Sequence, residues 1–393
     1  MSATYGKMAP GYAPPQQGAD ASGRSLDETV TGDAPCTPAD LGMLTVQCFE
    51  NEVPSFVKPE LERLYGSLYS SLPEFQIGGK LEGASTYVVR QGGDIVTLLL
   101  FRRNGRLVEV LNEVIELNGS DLARFARFIF ENDRFSDTVS FRAIRISGAP
   151  APFVHQRFAY LEDYVAMLPG TEAEYVAGIG KGSRRSLRRH MQKLEEQIDS
   201  YRLVVCEGSA IDPAWIEQTA GFNRARMAGK KKVSGLDALE RDRLVRLAGH
   251  CGLGCFMTID GRVAAGSLSF RVGRNYFMRL LAHDPAYNAF GLGTLCCLLT
   301  IQECIKRGGN EFHFLWGRYD YKYQFQAREH RLERIVLYRS RLHALRNAGL
   351  FMRIAAQGYV KRAKDWLHGG SAMAKRCERA LTWWQHFRYD LGR

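Results

Sequence analysis

The stretch HDPAYNAFGLGTLCC, from His283 to Cys297, decides how the rest of the sequence is interpreted. A β-rich segment precedes it, an apolar segment of helical character follows it, and Gly291 and Gly293 lie where that helix should begin. Glycines at a helix start let the main chain approach a ligand closely, and the free N–H groups of the first turn suit a phosphate. The same glycines would also let the helix pack tightly on a sheet. On these residues alone, a phosphate cradle and a packing device are both open.

Two longer phosphate-binding patterns are not satisfied. The dinucleotide-binding pattern G-x-G-x-x-G fails because Cys296 occupies the third glycine position. A Walker motif fails at Gly180-Lys181 because Tyr175 stands where that motif needs its first glycine. The loop must therefore be interpreted from its setting.

The composition is that of a globular protein with an excess of positive charge. The 393 residues are 45% hydrophobic and 24% charged, enough for two core-forming domains, and the net charge is +11. The segment 181–193 has six Lys/Arg and no acid, and the segment 341–393 has eleven Lys/Arg against three acids. We therefore expect an anionic partner: nucleic acid, anionic lipid, or a phosphorylated cofactor or substrate.

The cysteines and the hydropathy pattern indicate a cytoplasmic protein. No run of eighteen apolar residues occurs, and the first twenty residues lack a basic segment followed by an apolar one, so neither a membrane span nor a signal peptide is expected. The nine cysteines are odd in number and show no framework spacing, which favours buried thiols. His250, Cys251 and Cys255 lack a second ligand pair at finger-like spacing, so we expect no metal.

The pattern of hydrophobic residues predicts an α+β chain in four segments. Residues 1–43, rich in Gly, Pro, Ala, Ser and Asp, are expected to be disordered. Residues 44–199 read as helix, antiparallel strands, helix, strand and basic helix, and residues 200–340 repeat a similar order of elements. Residues 341–393 read as basic amphipathic helices. The result is two tandem domains with mixed, largely antiparallel sheets.

Individual elements follow from local signals. Leucines at 61, 64, 68 and 72 predict a helix over 59–71, and GSDLARFARFIFEN predicts a helix over 119–132 with Ser120 or Asp121 as its N-cap. In NEFHFLW (310–316), alternation places Glu311 and His313 on one face of a strand.

Four stretches together resemble a known family: the basic helix SRRSLRRHMQKLEE, HDPAYNAFGLGTLCCLLTIQ, the strand EFHFLWG, and YDYKYQF. They are similar to the CelD/BcsL-type acetyltransferases of cellulose and exopolysaccharide biosynthesis, in the superfamily that includes the FemABX transferases. N-x-x-G-x-G resembles the Q/R-x-x-G-x-G/A loop of GNAT acetyltransferases, with Asn288 in place of the long polar residue. The resemblance covers about residues 45–345 and implies two tandem GNAT-like domains, the second binding an acyl-CoA.

The resemblance also implies where that acyl-CoA would lie. Its pantetheine arm would run between two splayed strands, 275–282 and 311–316. Its pyrophosphate would lie on the loop and helix start formed by Asn288, Phe290, Gly291, Leu292, Gly293 and Thr294.

Four residues are candidates for the chemistry. His283 and Asp284, at the end of the strand, could take the acceptor's proton. Asp284 could equally cap the turn and His283 be a surface residue. Tyr321 could protonate the departing thiolate or serve in packing, and Lys322 could hold an anionic phosphate or sugar acid. His313 is a second candidate base or a structural histidine.

The leading hypothesis is an acyl-CoA-dependent N- or O-acyltransferase, with acetyl the expected group, that acts by direct transfer on a polysaccharide precursor or another polar acceptor. One alternative is an aminoacyl-tRNA-dependent FemABX-like transferase. The other is a non-catalytic, membrane-associated partner of a polysaccharide synthase. The expected partners are a saccharide or small-molecule acceptor, an anionic surface at the inner face of the membrane through residues 341–393, tRNA in the first alternative, and no DNA.

Overall fold

One mixed sheet of thirteen strands runs through the part of the chain that the computed structural model describes, residues 44–148, 152–229 and 234–349 together with 352, 355 and 356. The strands are β1 (Leu44–Phe49), β2 (Ala84–Gln91), β3 (Asp94–Asn104), β4 (Leu107–Val110), β5 (Ile115–Asn118), β6 (Thr138–Ser147), β7 (Val154–Met167), β8 (Arg202–Glu207), β9 (Gly252–Ile259), β10 (Arg262–Val272), β11 (Asn275–His283), β12 (Glu311–His313) and β13 (Arg328–Tyr338).

The helices cover both faces of this sheet. They are α1 (Val57–Tyr65), α2 (Leu72–Ile77), α3 (Gly119–Asn132), α4 (Glu172–Gly178), α5 (Lys181–Gln197), α6 (Pro213–Gly229), α7 (Ala238–Cys251), α8 (Leu292–Lys306), α9 (Asp320–Gln324) and α10 (Arg341–Arg346), with short 3-10 turns at Leu68–Ser70, Gly208–Ala210 and Pro285–Phe290. The predicted disordered segment 1–43 and most of the predicted basic segment 341–393 lie outside the described residues.

The strand order is β1-β2-β3-β4-β6-β13-β7-β12-β11-β10-β9-β8, and β5 pairs with β6 beside this path. Parallel pairing occurs between β4 and β6, β5 and β6, and β11 and β12, and the other pairs are antiparallel. The predicted α+β fold with a mixed, largely antiparallel sheet is confirmed. The domain boundaries at 43, 199 and 340 stay a prediction.

Separate hydrophobic clusters lie on the two faces of the second half of the sheet. Tyr276 and Phe312 pack with α8 and the apolar side of α5, whereas Phe277 packs with α6 and α7. In the first half, α3 packs on one face, and α1 and α2 pack on the other. Side chains that alternate along β11 therefore reach opposite layers of the molecule.

Two helix predictions need correction. The helix predicted over 59–71 ends at Tyr65, because Gly66 has a left-handed φ of 50° and its N–H caps the helix at Glu62. Helix α3 has Asn118 as its N-cap, since the Asn118 side chain accepts a hydrogen bond from the Ser120 N–H at 3.1 Å. The predicted caps, Ser120 and Asp121, lie inside the first turn.

Candidate functional site

A gap opens in the sheet where β11 and β12 separate. The two strands pair in parallel only over Asn275–Phe277 and Glu311–His313. After His313 the chain leaves β11 and stays on β7. The Phe314 N–H donates to the Tyr164 carbonyl of β7 at 2.8 Å, and the next residue, Leu315, has a left-handed φ of 57°. Strand β11 meanwhile continues to His283. Main-chain groups along this opening are thus free to contact a ligand.

A β-bulge lies on the same stretch of β11. Leu268 and Ser269 of β10 face Leu280 and Met278 of β11, so Arg279 is an extra residue on β11. Bulges bend a strand and are common next to active sites. Here the bulge falls just beyond the last residue that pairs with β12, and both irregularities widen the gap.

Lys322 fixes the bent end of β12. Its side chain is 1% exposed, and its ammonium group donates to the carbonyls of Leu315 at 2.8 Å and Trp316 at 2.7 Å. The ammonium also lies 4.8 Å from the centre of the Tyr164 ring. Burial lowers the pKa of Lys322 to about 8, although Asp163 acts in the opposite direction. The sequence suggested an anion-binding lysine, but these contacts are with the main chain and hold the gap open.

The loop after β11 is held by its own polar side chains. Asp284 caps the 3-10 turn Pro285–Phe290, and its Oδ1 accepts from the Ala286 N–H at 2.9 Å. His283 Nε2 lies 2.8 Å from Asn288 Oδ1, so Nε2 carries the proton when that amide oxygen accepts. Asn288 therefore orients His283, and His283 Nδ1 faces the start of α8.

Gly291 and Gly293 are both in close contact with histidines. Gly291 is the N-cap of α8 and has a left-handed φ of 64°. A Cβ at Gly291 would lie 2.5 Å from His190 Nδ1, and a Cβ at Gly293 would lie 2.7 Å from His283 Nδ1. Packing within the protein thus requires both glycines, and the helix start remains suited to a phosphate.

Helix α5 lies beside this loop and helps to form a cavity of about 250 Å³. Lys193 of α5 donates to the Ala289 carbonyl at 3.3 Å and lies 4.8 Å from the centre of the Phe290 ring. The cavity is lined by Gly182, Ser183, Ser186, Leu187, His190, Thr294, Gln324 and Phe325.

The sequence predicted only Thr294 among these lining residues. The missed residues on α5 lie three or four positions apart, at Ser183, Ser186, Leu187 and His190, which places them on one helix face. That spacing was visible in the sequence, but it did not show that this face meets α8. Leu292, a predicted binding residue, has its side chain fully buried in the core, so only its main chain could contact a ligand.

Helix α5 also carries uncompensated positive charge, on the side turned away from its cavity-lining residues. Within the described ranges, no ion pair engages five cations of α5, namely Lys181, Arg184, Arg185, Arg188 and Arg189. These cations and the N-terminus of α8 both favour an anionic ligand.

Tyr321 lies half-buried beyond the bent end of β12. Its ring centre is 6.1 Å from that of Phe314 and 6.2 Å from that of Tyr319. Burial, with a contribution from Cys297, raises the pKa of Tyr321. Its phenol therefore stays protonated at neutral pH and can donate a hydrogen bond, whereas full proton transfer to a thiolate would be unfavourable.

The gap, the loop and the N-terminus of α8 follow one another along the chain, and Thr294 of α8 lines the cavity. Residues 181–323, which include α5, the gap, the loop and α8, match the family model described as an acetyltransferase (GNAT) domain. GNAT domains use an acyl-CoA as donor, and the match supports an acyltransferase. No curated protein sequence matches the chain.

Solved structures of similar fold include FemX, at 8% identity and a TM-score of 0.54, with 76% of this chain and 99% of FemX covered. The structure of L-PGS from Bacillus licheniformis is similar at 14% identity and a TM-score of 0.45, with 75% of this chain and 94% of that chain covered. At 8% identity, the likeness to FemX concerns the fold.

Two features are absent from the described residues. No helix among them is long and apolar enough to cross a membrane. No group of three or more His, Cys, Asp or Glu side chains among them is placed to hold a metal ion.

Proposed function

We propose that this protein transfers an acyl group, with acetyl the expected one, from an acyl-CoA to an amine or hydroxyl of a polar acceptor. The observation that carries this proposal is the arrangement of the gap between β11 and β12 beside the α5–α8 cavity. The resemblance of the sequence to CelD/BcsL-type enzymes supports a polysaccharide precursor as the acceptor and the cytoplasmic face of the membrane as the location.

The phosphates of the donor would lie at the N-terminus of α8, close to Lys193, with the other cations of α5 adding a longer-range attraction. The pantetheine arm would pass through the cavity past Ser186 and Thr294 and form main-chain hydrogen bonds along the opened edge of β11. Lys322 would keep that edge accessible by holding β12 in its bend.

In the transfer step, the acceptor nitrogen or oxygen attacks the thioester carbonyl carbon, the new C–N or C–O bond forms, and the C–S bond breaks. The acceptor's proton passes to a base, and the sulfur leaves as a thiolate. Tyr321 would stabilise that thiolate by donating a hydrogen bond. His283 stays a candidate base, although its free Nδ1 faces α8, and Asp284 is engaged in capping.

Ligand binding tests the donor site directly. Acetyl-CoA and longer acyl-CoAs should raise the melting temperature in a saturable way, and Ser186→Phe, which fills the cavity, should abolish the shift. Ser120→Phe places the same side chain on an exposed position of α3 and should bind like the wild type. The proposal is wrong if no acyl-CoA shifts the melting temperature of the wild-type protein.

A second experiment separates the two roles of Gly291. Gly291→Ala alone is uninformative, because its Cβ would collide with His190. His190→Ala removes that ring, and alanine at the left-handed φ of 64° adds only about 1–2 kcal/mol of strain, so His190→Ala and His190→Ala/Gly291→Ala should both fold. If a phosphate approaches the glycine, the double variant should bind acyl-CoA at least about tenfold more weakly than His190→Ala. Equal affinities would assign the glycine to packing alone.

An aminoacyl-tRNA donor is the second candidate, and the uncompensated cations of α5 are the observation that favours it. It predicts that the purified protein carries tRNA and binds it with a steep salt dependence, while acyl-CoA has no effect on melting. A non-catalytic scaffold would bind neither tRNA nor acyl-CoA.

A further inference from the structure

A second cavity, of about 190 Å³, lies on the sheet face opposite α8. Its floor is formed by four adjacent strands, β13, β7, β12 and β11, and its wall by two segments of the first half of the chain, 64–67 and 114–116. Phe277, on its floor, packs in the cluster of α6 and α7, whereas its neighbour Tyr276 packs with α8. This cavity is therefore separate from the donor site.

The strand register places a row of polar side chains across this floor. Asp163 of β7 is directly opposite His330 of β13. Val165, two residues further along the same face of β7, is directly opposite His313 of β12. His313 Nδ1 lies 2.6 Å from Asp163 Oδ2, and its Nε2 lies 3.2 Å from Glu311 Oε2. The His313 ring stacks on Phe277, with ring centres 4.1 Å apart.

One strong acceptor on this floor has no partner. Asp163 is 1% exposed, and its Oδ1 is buried without a hydrogen bond. Two other polar side chains that line the cavity are satisfied, since the Ser67 hydroxyl donates to the Glu113 carbonyl and the Asn275 amide donates to the Gly66 carbonyl. A buried carboxylate oxygen without a donor is costly, so a donor from a ligand would be favoured.

The charges in the cavity give the sign of that ligand. Asp163 and Glu311 are two carboxylates, and His313 between them supplies one positive charge at neutral pH. His330 is neutral, because burial and Arg145 lower its pKa. At the mouth, Arg145 is paired with Glu116 at 3.2 Å. Among the side chains that line the cavity one negative charge is left over, and the buried Lys322 ammonium outside the cavity also interacts with Asp163.

We propose that this cavity binds the ammonium group of a small primary amine, with Asp163 Oδ1 as its main acceptor and Glu311 as its second. The volume suits an ammonium group on a short polar arm rather than a large ligand. Because the wall comes from the first half of the chain and the floor from β11, β12 and β13, the bound amine would tie the two halves together. This site does not depend on the proposed acyl transfer.

Ethanolamine and glucosamine are suitable probes, with ethylene glycol and N-acetylglucosamine as uncharged counterparts. At about pH 7, either amine should raise the melting temperature of the full-length protein in a saturable way, and the uncharged compounds should not. Asp163→Asn should weaken amine binding at least about tenfold. Asp94→Asn, the same substitution at an exposed position of β3, should have no effect.

Asp163→Asn also removes a partner of His313, so a second variant tests the cavity without changing its charge. Leu332→Phe places a larger side chain at a buried lining position on β13 and should block the amines while acyl-CoA binding persists. The inference is overturned if neither amine shifts the melting temperature, if the uncharged compounds act equally, or if amine binding survives both substitutions. The first result would leave the cavity without an amine ligand, the second would show that the ammonium group is not recognised, and the third would place amine binding elsewhere on the protein.

Discussion

The pH dependence of stability should show the protonation of His313. Burial alone would lower the pKa of His313, but Asp163 and Glu311 together raise it to about 9. In the unfolded chain it returns to its ordinary value near 6.5. Because the folded pKa is the higher one, the stabilisation is fully present below about pH 6.5 and is lost as the pH rises through about 9. At about 1.4 kcal/mol per pH unit, the difference between the two pKa values of His313 corresponds to about 3 kcal/mol in the free energy of unfolding.

Lys322 has the opposite effect in an overlapping range. Its pKa is about 8 in the folded protein and 10.5 ordinarily, so its contribution to stability rises with pH across that interval. The two groups partly offset each other between about pH 8 and 9, and the wild-type profile alone is therefore a poor test. The difference between wild type and a His313 variant removes the contribution of Lys322.

The assay is urea unfolding of wild type and His313→Gln at intervals from about pH 6 to about pH 10. The free energy of unfolding of the wild type minus that of the variant should fall by about 3 kcal/mol across this range. His155→Gln, the same substitution at an exposed position of β7, is the matched control and should show no fall of about 3 kcal/mol. A difference for His313→Gln that stays constant within about 1 kcal/mol would refute a protonated His313 held between two carboxylates.

Three further substitutions test contacts that position the site. Glu74→Ala removes a 1% exposed carboxylate paired with two arginines, one of which is the bulge residue Arg279, and should cost about 3–5 kcal/mol in urea unfolding. Gly266→Ala places a Cβ on the Thr219 hydroxyl and should cost about 1–3 kcal/mol, partly recovered by Thr219→Ala in the same unfolding assay. Lys322→Met loses two hydrogen bonds to main-chain carbonyls and should weaken acyl-CoA binding at least about tenfold in calorimetry, with an unchanged circular dichroism spectrum.

Elements set by local signals were predictable from the sequence. The predicted helix 119–132 has the bounds of α3 in the structure. It follows a capping side chain, and its hydrophobic residues recur with the helical period. The hydrophobic period alone does not show where α1 ends. The left-handed residue Gly66 ends this helix although the leucine repeat continues past it.

Strand β7 was not predicted, for a non-local reason. Its sequence, VHQRFAYLEDYVAM, does not alternate cleanly, because its N-terminal half is partly exposed and its C-terminal half is buried on successive residues. The buried half lies between β13 and β12, whose residues come more than 140 positions later in the chain. No local pattern shows those neighbours.

The candidate site also combines features that local sequence predicts with features that depend on tertiary contacts. The loop 288–294 and its position between a strand and a helix follow from local sequence. The contacts of its glycines with His190 and His283, and the engagement of Lys322 with the main chain, depend on how α5, α8 and β12 meet. A lysine in a motif suggests charge for a ligand, yet a buried lysine can equally satisfy carbonyls that a bent strand leaves open.

The strand order bears on how the two halves of the chain can work together. A division near residue 199 would leave β6 and β7 in the first half and β13 in the second, although β13 lies between those two strands in the sheet. Separating the two halves of the chain would break the pairing of β13 with β6 and with β7, and it would leave all three strands with unpaired edges. The gap at β12 also depends on β7, since the Tyr164 carbonyl accepts from the Phe314 N–H. The proposed donor site therefore needs the first half for its geometry, even though residues 181–323 contain most of the side chains that line it.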